Sequence, residues 1–591
     1  DAILTMDKFS NSLPVAIASI GSSKITLLVG SAITVGADAT IPDNIILWFV
    51  GPGKLFVNSG KVLTINGPSQ VLAHTQQQVF DGTGTVSFTN GGIVSPGWWG
   101  FSSGGTAAAN ADAYNACTAS LTATGGAIVI PPTGAAHQVD DTLTHPAKPM
   151  SVIGAHPELS IIESTATASL KHGLTFTRSH HVRNLTIKTS ASLASNYDMY
   201  GVRMDLDGVT VSGGNQAVKW ESVKVRGFNN SFYCDGGDAY NVDRLYFNDL
   251  DAQCSGPAST YIGSCLYINR VTQVYGTHSQ FDQNSTGEHA IYCFGSKNLV
   301  FDGFKIRNFD KGTAQAIKVV GNGVAPDDDQ AYPTWSIRNM DIADGLNGIL
   351  CGIYGTETLE ALTVENCKFV DVDTSAAILG CVYLSAAGTS NIRTLRVSGI
   401  STRNCLYQGV HVATGASATM GPVSIRDCKG YNWSTTSAGT YTWFGTSGTG
   451  TFGPITLEGI EADGNSKGRT ILSSSGQAST ISRIRYSGLK EVNTTNMGRP
   501  ISLPEADATP SLAIGNWFVQ PNTGAQNITA YDNLEANQTY YIRFSTANTT
   551  LIDGANLQLA GSTNYNPPAN TFMTFYCSDG TALYEVSRSV N

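Results

Sequence analysis

The stretch Leu299-Val-Phe-Asp-Gly-Phe-Lys-Ile-Arg-Asn308 decides the fold. Apolar residues alternate at Leu299 and Phe301, a turn residue follows at Gly303, and a second turn residue stands five positions later at Asn308. The same order returns in Trp335-x-Ile337-x-Asn339…Asp344, Leu362-x-Val364-x-Asn366…Asp371, Leu395-x-Val397-x-Gly399…Asn404, Val423-x-Ile425-x-Asp427…Asn432, Ile455-x-Leu457-x-Gly459…Gly464 and Ile484-x-Tyr486-x-Gly488…Asn493. The first turn residues lie 36, 27, 33, 28, 32 and 29 positions apart. So short a unit cannot bury its own apolar face, and stacks on its neighbours as a solenoid.

Period two specifies strands, and Gly, Asn and Asp tolerate the left-handed backbone of tight corners. A solenoid of helix pairs would show apolar residues three and four apart, which these repeats do not. The expected fold is a right-handed parallel β-helix with Leu299, Phe301, Ile337, Val364, Val397, Ile425 and Leu457 inside. Upstream, Val223-x-Val225-x-Gly227, Leu245-x-Phe247-x-Asp249 and Thr272-x-Val274-x-Gly276 keep the first half of the pattern, but Phe232, Cys254 and Phe281 stand five positions on. Those three coils are expected to differ at the second corner.

Only 14% of the 591 residues are charged and 63 are Gly, which suits flat β faces bearing uncharged polar groups. A net charge of −10 argues against a nucleic-acid partner. No apolar run approaches the roughly 20 residues of a membrane span, so no membrane insertion is expected. Eleven cysteines without a Cys-x-x-Cys pair read as neither a disulfide framework nor a zinc site. Cys367 and Cys428 follow turn residues in apolar slots, so buried thiols and folding in a reducing cytosol are expected. No metal or other cofactor is expected, since Asp327-Asp328-Asp329 lacks the alternating ligands of a calcium loop.

Residues 1–100 read as an N-terminal β region, 101–496 as the β-helix, 497–515 (Pro500, Pro504, Pro510) as a linker, and 516–591 as a sandwich-like β domain. Thr106 to Thr122, Ala-rich and stopped by Gly125-Gly126, predicts a helix that caps the open end of the solenoid. Trp98-Trp99-Gly100, that helix and Gly125-Gly-Ala-Ile-Val-Ile-Pro131-Pro132 together resemble the opening module of pectate-lyase-like β-helices in bacteriophage tailspikes. Where many members carry an aspartate pair, this chain reads Ala107-Ala-Ala-Asn110. Asp553-Gly-Ala-Asn-Leu-Gln-Leu-Ala560 and Tyr584-Glu-Val-Ser-Arg-Ser589 are similar to the terminal β-domain of such spikes. The resemblance implies a homotrimer on the virion tail, attached through a segment upstream of Asp1. It also implies action outside the cell, binding and depolymerising a bacterial surface polysaccharide, either capsule or O-antigen.

Alignment by the first turn residue puts Asp251, His278 and Lys305 in one line on the surface, with Tyr275, Asp302 and Arg338 beside it, because coils stack about 4.8 Å apart. Asp251 and Asp302, two coils apart, are the expected carboxyl pair for endo-glycosidic hydrolysis. His278 or Tyr275 as base, with Lys305 or Arg338 neutralising a uronate, would instead support β-elimination. Glu288 and His289 form a second acid and base. Trp220, Tyr233, Tyr240, Tyr246, Tyr267 and Tyr292 offer rings for stacking on sugars, and Asp341 a further polar contact. A solvated, self-compensating charge ladder is the reading of the cluster without function. Hydrolysis leads; elimination and a non-enzymatic receptor-binding spike or adhesin are the alternatives.

Overall fold

Alternation becomes parallel pairing. The computed structural model describes the chain except for residues 1, 122–124, 168–170, 191–198, 207–215, 238–241, 255–262, 284–288, 310–314, 322–330, 374–379, 406–407, 434–442, 465–471, 474–479, 482–483, 488–489, 493–500, 513–515 and 590–591. It divides into two units, Asp1–Val320 with Asn339–Leu346, and Gly321–Arg338 with Asn347–Asn591. In the second, Ile337, Val364, Val397, Ile425 and Leu457 pair in unbroken register and are all buried. Leu299 and Phe301 are buried in the first. The coils are those of a right-handed parallel β-helix with distinct β regions at its N- and C-terminal ends.

The corners explain the turn residues. Asp249, His278, Gly303 and Asn339 in the first unit, and Asn366, Gly399, Asp427 and Gly459 in the second, have φ between +47° and +75°. That region strains most side chains and is least unfavourable for Gly, Asn and Asp. Asn308, Asp344, Asp371 and Asn404 turn the second corner in the same way, with φ from +52° to +59°. The last expected corner residues, Gly488 and Asn493, lie outside the described residues.

Two upstream coils run in a different register from the one expected. Gly276 is not a corner residue: it lies inside, in the column Val182, Trp220, Phe247, Gly276, Phe301. A Cβ there would meet Phe247 at 2.1 Å and Phe304 at 2.7 Å, so the glycine is the gap that these rings fill. The corner falls two residues later, on His278 (φ +47°). In the coil before Asp249, the corner is likewise Ser222 (φ +49°) rather than Gly227, which turns the second corner instead. Phe232 and Phe281 are core residues, and the second corners that depart from the pattern are Cys254 and Gln283. Both are buried, and Cys265 Sγ reaches the Gln283 side-chain oxygen at 3.2 Å.

The N-terminal region is a small three-sided solenoid: Ile25–Val29 pairs with Ile45–Phe49, Ala32–Val35 with Lys54–Val57, and Ala39–Ile41 with Val62–Ile65, all parallel. It also carries a helix that the sequence did not predict, α1 (Leu13–Ile20), with Pro in its first turn. The predicted cap forms as α2 (Ala107–Ala119), and Thr106 Oγ1 accepts the Ala109 amide at its start. Asn110 is fully buried and anchors the helix, exchanging hydrogen bonds with the Ser102 backbone and donating to the Gln138 carbonyl, each at 2.9 Å. All eleven cysteines are buried free thiols.

Beneath α2 runs a buried stack of rings. The Tyr114 hydroxyl donates to His145 Nε2 at 2.8 Å, while His145 Nδ1 faces the Thr175 carbonyl at 2.8 Å. Phe176 is sandwiched between His145 and His180, with ring centres 4.0 and 3.9 Å away, and Trp220 Nε1 donates to His180 Nε2 at 2.9 Å. Both imidazoles thus accept at Nε2 and are neutral. Burial pushes His145 down to about 4 and His180 to about 3.

In the C-terminal region, Gln538–Phe544 pairs antiparallel with Thr571–Cys577, which pairs with Leu583–Ser589. Phe518, Tyr540, Ile542, Phe544, Met573 and Phe575 form its core, joined by Leu503 and Leu512 from the proline-rich stretch before it.

Two predictions follow from the packing. Gly276→Ala should lower stability by about 1–3 kcal/mol by overpacking Phe247 and Phe304, while His278→Gly should change it by less than about 1 kcal/mol; the opposite order in chemical denaturation would refute the register. The histidine pair makes stability acid-sensitive. A histidine neutral when folded but free to charge when unfolded contributes stability that is complete above about pH 6.5 and is lost as pH falls through its folded pKa. For His145 the loss between pH 6.5 and 4 is about 3 kcal/mol, so the unfolding temperature should fall across that interval, and a flat profile would contradict the burial of the stack.

Candidate functional site

The first corner splits the cluster expected from the sequence. Before it, Asp302 ends the strand Asn298–Asp302, its carboxylate accepting from Asn339 Nδ2 at 2.7 Å and its carbonyl from the His278 amide at 2.9 Å. Tyr275, exposed on Val271–Thr277, stands opposite Tyr246 of Val242–Asn248. Past the corner, Asp251, Gln280, Lys305 and Asp341 follow in register. Gln280 therefore takes the place expected of His278, which sits exposed on the corner itself. Arg226 clamps Asp251 through its carboxylate and, at 2.6 Å, its carbonyl; Arg307 holds Asp341 the same way, at 2.7 Å to each. Arg226, Asp251, Gln253, Gln280, Lys305 and Arg307 help to line one shallow groove. Arg338 belongs to the second unit, exposed and in register with Glu365. Glu288, Tyr240 and Asp327 to Asp329 lie outside the described residues.

A different group assembles on the sheet built from Tyr200–Asp205, Asn230–Asp235, Ser264–Asn269, His289–Phe294 and Gln315–Gly321. Val202, Phe232, Leu266, Ile291 and Ile317 point inward in register. Strand alternation then sends the next residues outward as one row: Arg203, Tyr233, Tyr267, Tyr292 and Lys318. Tyr233 and Tyr267 stack with centres 5.0 Å apart and planes within 8°, and Tyr292 meets Tyr267 edge-on at 5.4 Å. The Arg203 guanidinium lies 5.9 Å from the Tyr233 centre, and the Lys318 ammonium 4.9 Å from that of Tyr292.

Two residues further along each strand stand Asp205, Asp235 and Asn269, also in register. Asp235 is 5% exposed and heavily hydrogen-bonded: Tyr233 Oη and Asn269 Nδ2 donate to Oδ2, each at 3.0 Å, and the Gly237 amide to Oδ1 at 2.8 Å. Burial raises its carboxyl above the usual range and the neighbouring Asp205 charge adds to the rise, while the hydrogen bonds oppose both. Asp205 is ion-paired with Arg203. Arg203 also donates to His172 Nε2 at 2.9 Å, and burial, reinforced by that guanidinium, lowers His172 to about 4. Arg203 Nε, His172 Nδ1 and Asn269 Oδ1 are buried with no hydrogen-bond partner among the described residues.

His289 starts its strand 2% exposed, its Nδ1 accepting the Gln315 amide at 3.2 Å and its Nε2 3.4 Å from Lys318 Nζ. Burial, then the Lys318 charge, holds it well below its ordinary pKa, so it is neutral. Burial raises the Tyr233 and Tyr267 phenols, which stay protonated and serve as donors rather than bases. Trp220 is a core residue. Tyr233, Tyr267 and Tyr292 were expected singly, among other aromatics, and the acids were not expected, although Arg203-x-Asp205, Tyr233-x-Asp235 and Tyr267-x-Asn269 repeat one pattern on successive coils. Among the described residues no group of three or more His, Cys, Asp or Glu is placed to hold a metal ion, and no helix is long and apolar enough to cross a membrane.

No protein-family model and no curated protein matches the chain. Among solved structures, the Agl-KA catalytic domain is 12% identical over 68% of each chain, with a TM-score of 0.36. ORF18 of Geobacillus virus E2 is 12% identical, over 84% of this chain and 76% of that one, with a TM-score of 0.28. The tailspike protein of Acinetobacter phage vB_ApiP_P1 is 13% identical, over 84% and 79%, with a TM-score of 0.30. Likeness at this level carries no argument about what this chain does.

Proposed function

We propose that this protein is a receptor-binding spike of a phage tail that holds an extended bacterial surface polysaccharide along the row from Arg203 to Lys318. The observation that carries the reading is the run of three tyrosines between two cations, one ring per coil. Tyr233 and Tyr267 stack on each other, so the row offers a polymer ring edges and phenol hydroxyls, and the polar groups beside them suit sugar hydroxyls.

Cleavage is a second reading, favoured by the unequal carboxyls. Asp235, whose carboxyl burial raises above the usual range, would give its proton to the glycosidic oxygen, and the ion-paired Asp205 would act as base or nucleophile. The two stand in register on adjacent strands, about 4.8 Å apart in the backbone. This assigns to Asp205 and Asp235 the roles expected of Asp251 and Asp302. Elimination is less well supported, because Arg203 is already engaged by Asp205 and the tyrosines are poor bases.

A homotrimer is part of the proposal. The C-terminal sheet turns Tyr541, Phe572, Tyr576, Tyr584 and Val586 outward, Tyr541 at 47% and Val586 at 62% exposure, over a core that is already complete. An apolar face of that kind marks a contact between chains.

On arrays of purified capsular and O-antigen polysaccharides, Tyr267→Ala should weaken binding several-fold to about tenfold; unchanged binding would remove the row from the account. If the polymer is cut, Asp235→Asn should slow cutting by roughly 10²–10⁴ while binding persists, and the wild-type rate should fall as pH rises through the raised pKa of Asp235. Ultraviolet-absorbing products would mean elimination instead. Sedimentation should show a trimer at micromolar concentration, and a monomer there would refute the assembly.

A further inference from the structure

We infer that the protein carries a second saccharide-binding platform, away from the Asp205–Asp235 site, on the outer face of the strands Gln216–Arg226, Val242–Asn248, Val271–Thr277 and Asn298–Asp302, with Tyr246 and Tyr275 as its rings. The inference rests on the polysaccharide-binding reading and adds to it a place where the same polymer is held without being processed.

The platform follows from register. Lys219, Tyr246, Tyr275 and Val300 form one outward row. On one side of it runs the column Arg244, Gln273, Asn298, and on the other the column Asn248, Thr277, Asp302. Tyr246 is 37% exposed and Tyr275 43%, and the Lys219 ammonium lies 5.3 Å from the Tyr246 ring centre. Apart from Leu159, no other large apolar side chain is as exposed among the described residues from 100 to 320. Two exposed rings directly opposite each other on the outer face of a sheet are not accounted for by core packing.

The shape of the strip decides its occupant. It is one side chain wide and bordered on both sides by amides, a hydroxyl, a guanidinium and a carboxylate; Thr277 Oγ1 donates to Asn248 Oδ1 at 2.8 Å and steadies that border. A protein partner needs a broad apolar centre within a patch of some 20–30 residues a side. A polysaccharide needs the opposite, a narrow run of ring faces for its apolar sugar faces and polar groups along both edges for its hydroxyls. Neutral or weakly charged sugar residues fit best, because Lys219 is ion-paired with Glu221 and Asp302 accepts from Asn339.

A second attachment point on the same chain raises the effective concentration of polymer at the first without touching its chemistry. The double variant Tyr246→Ala with Tyr275→Ala should therefore weaken binding of a long polymer, read by retardation in gels containing the polysaccharide identified on the array, by about tenfold. The same variant should bind a hexasaccharide cut from that polymer as wild type does, because a short chain engages the first site alone. Tyr267→Ala, by contrast, should weaken both. Unchanged retardation of the double variant would overturn the platform while leaving the first site intact. Equal loss for polymer and hexasaccharide would overturn it too, placing the two rings in the first site. A change in sedimentation of the double variant would make the strip a contact between copies and likewise refute the inference. Loss of polymer binding by Tyr246→Ala and Tyr275→Ala counts only if the unfolding temperature matches wild type, as it should for two exposed side chains; Tyr246→Phe with Tyr275→Phe, which keep the rings, should restore retardation.

Discussion

Backbone hydrogen bonding between successive coils is the constraint on which everything else rests. A parallel ladder fixes neighbouring strands about 4.8 Å apart and sends alternate residues to opposite sides. Whatever stands at one position of a coil is thereby placed beside its counterpart in the next, inside or out. The inner columns become a core, as Trp220, Phe247, Gly276 and Phe301 show. The outer columns become ladders of chemistry, such as the tyrosines at 233, 267 and 292. Fold and site are two faces of one register.

That dependence explains how much could be read from the sequence. The inward residues of the repeats were legible because burial demands apolar side chains at every second place. Corners were legible wherever Gly, Asn or Asp held the left-handed position. The reading slipped where that chemistry was broken: His278 and Ser222 adopt positive φ without being typical turn residues, and Gly276 imitates a corner while filling a gap between phenylalanines. One slip of two residues kept the in–out alternation yet displaced His278 from the surface line where Gln280 stands. The helix α1 was hidden because its apolar run is short and its tertiary setting decides it.

The acids were harder to see than the rings. The sequence marks Asp235 only by the repeat of Arg203-x-Asp205, Tyr233-x-Asp235 and Tyr267-x-Asn269 on successive coils. Its character comes from burial to 5% exposure beside Asp205, and from donors contributed by three different residues. Asp251 looked as promising and is instead clamped by Arg226. The two carboxylates differ in their partners: Asp251 is clamped by a guanidinium, whereas a dry setting and a neighbouring carboxylate raise the Asp235 carboxyl above the usual range.

The central claim is that a polysaccharide lies along the row from Arg203 to Lys318. Amide hydrogen exchange, compared with and without a bound oligosaccharide, tests it without altering any residue. The account predicts slower exchange confined chiefly to Tyr200–Asp205, Asn230–Asp235, Ser264–Asn269 and His289–Phe294. Protection concentrated instead on Asp251–Gln253, Gln280–Asp282 and Lys305–Arg307, with none on the tyrosine row, would contradict it.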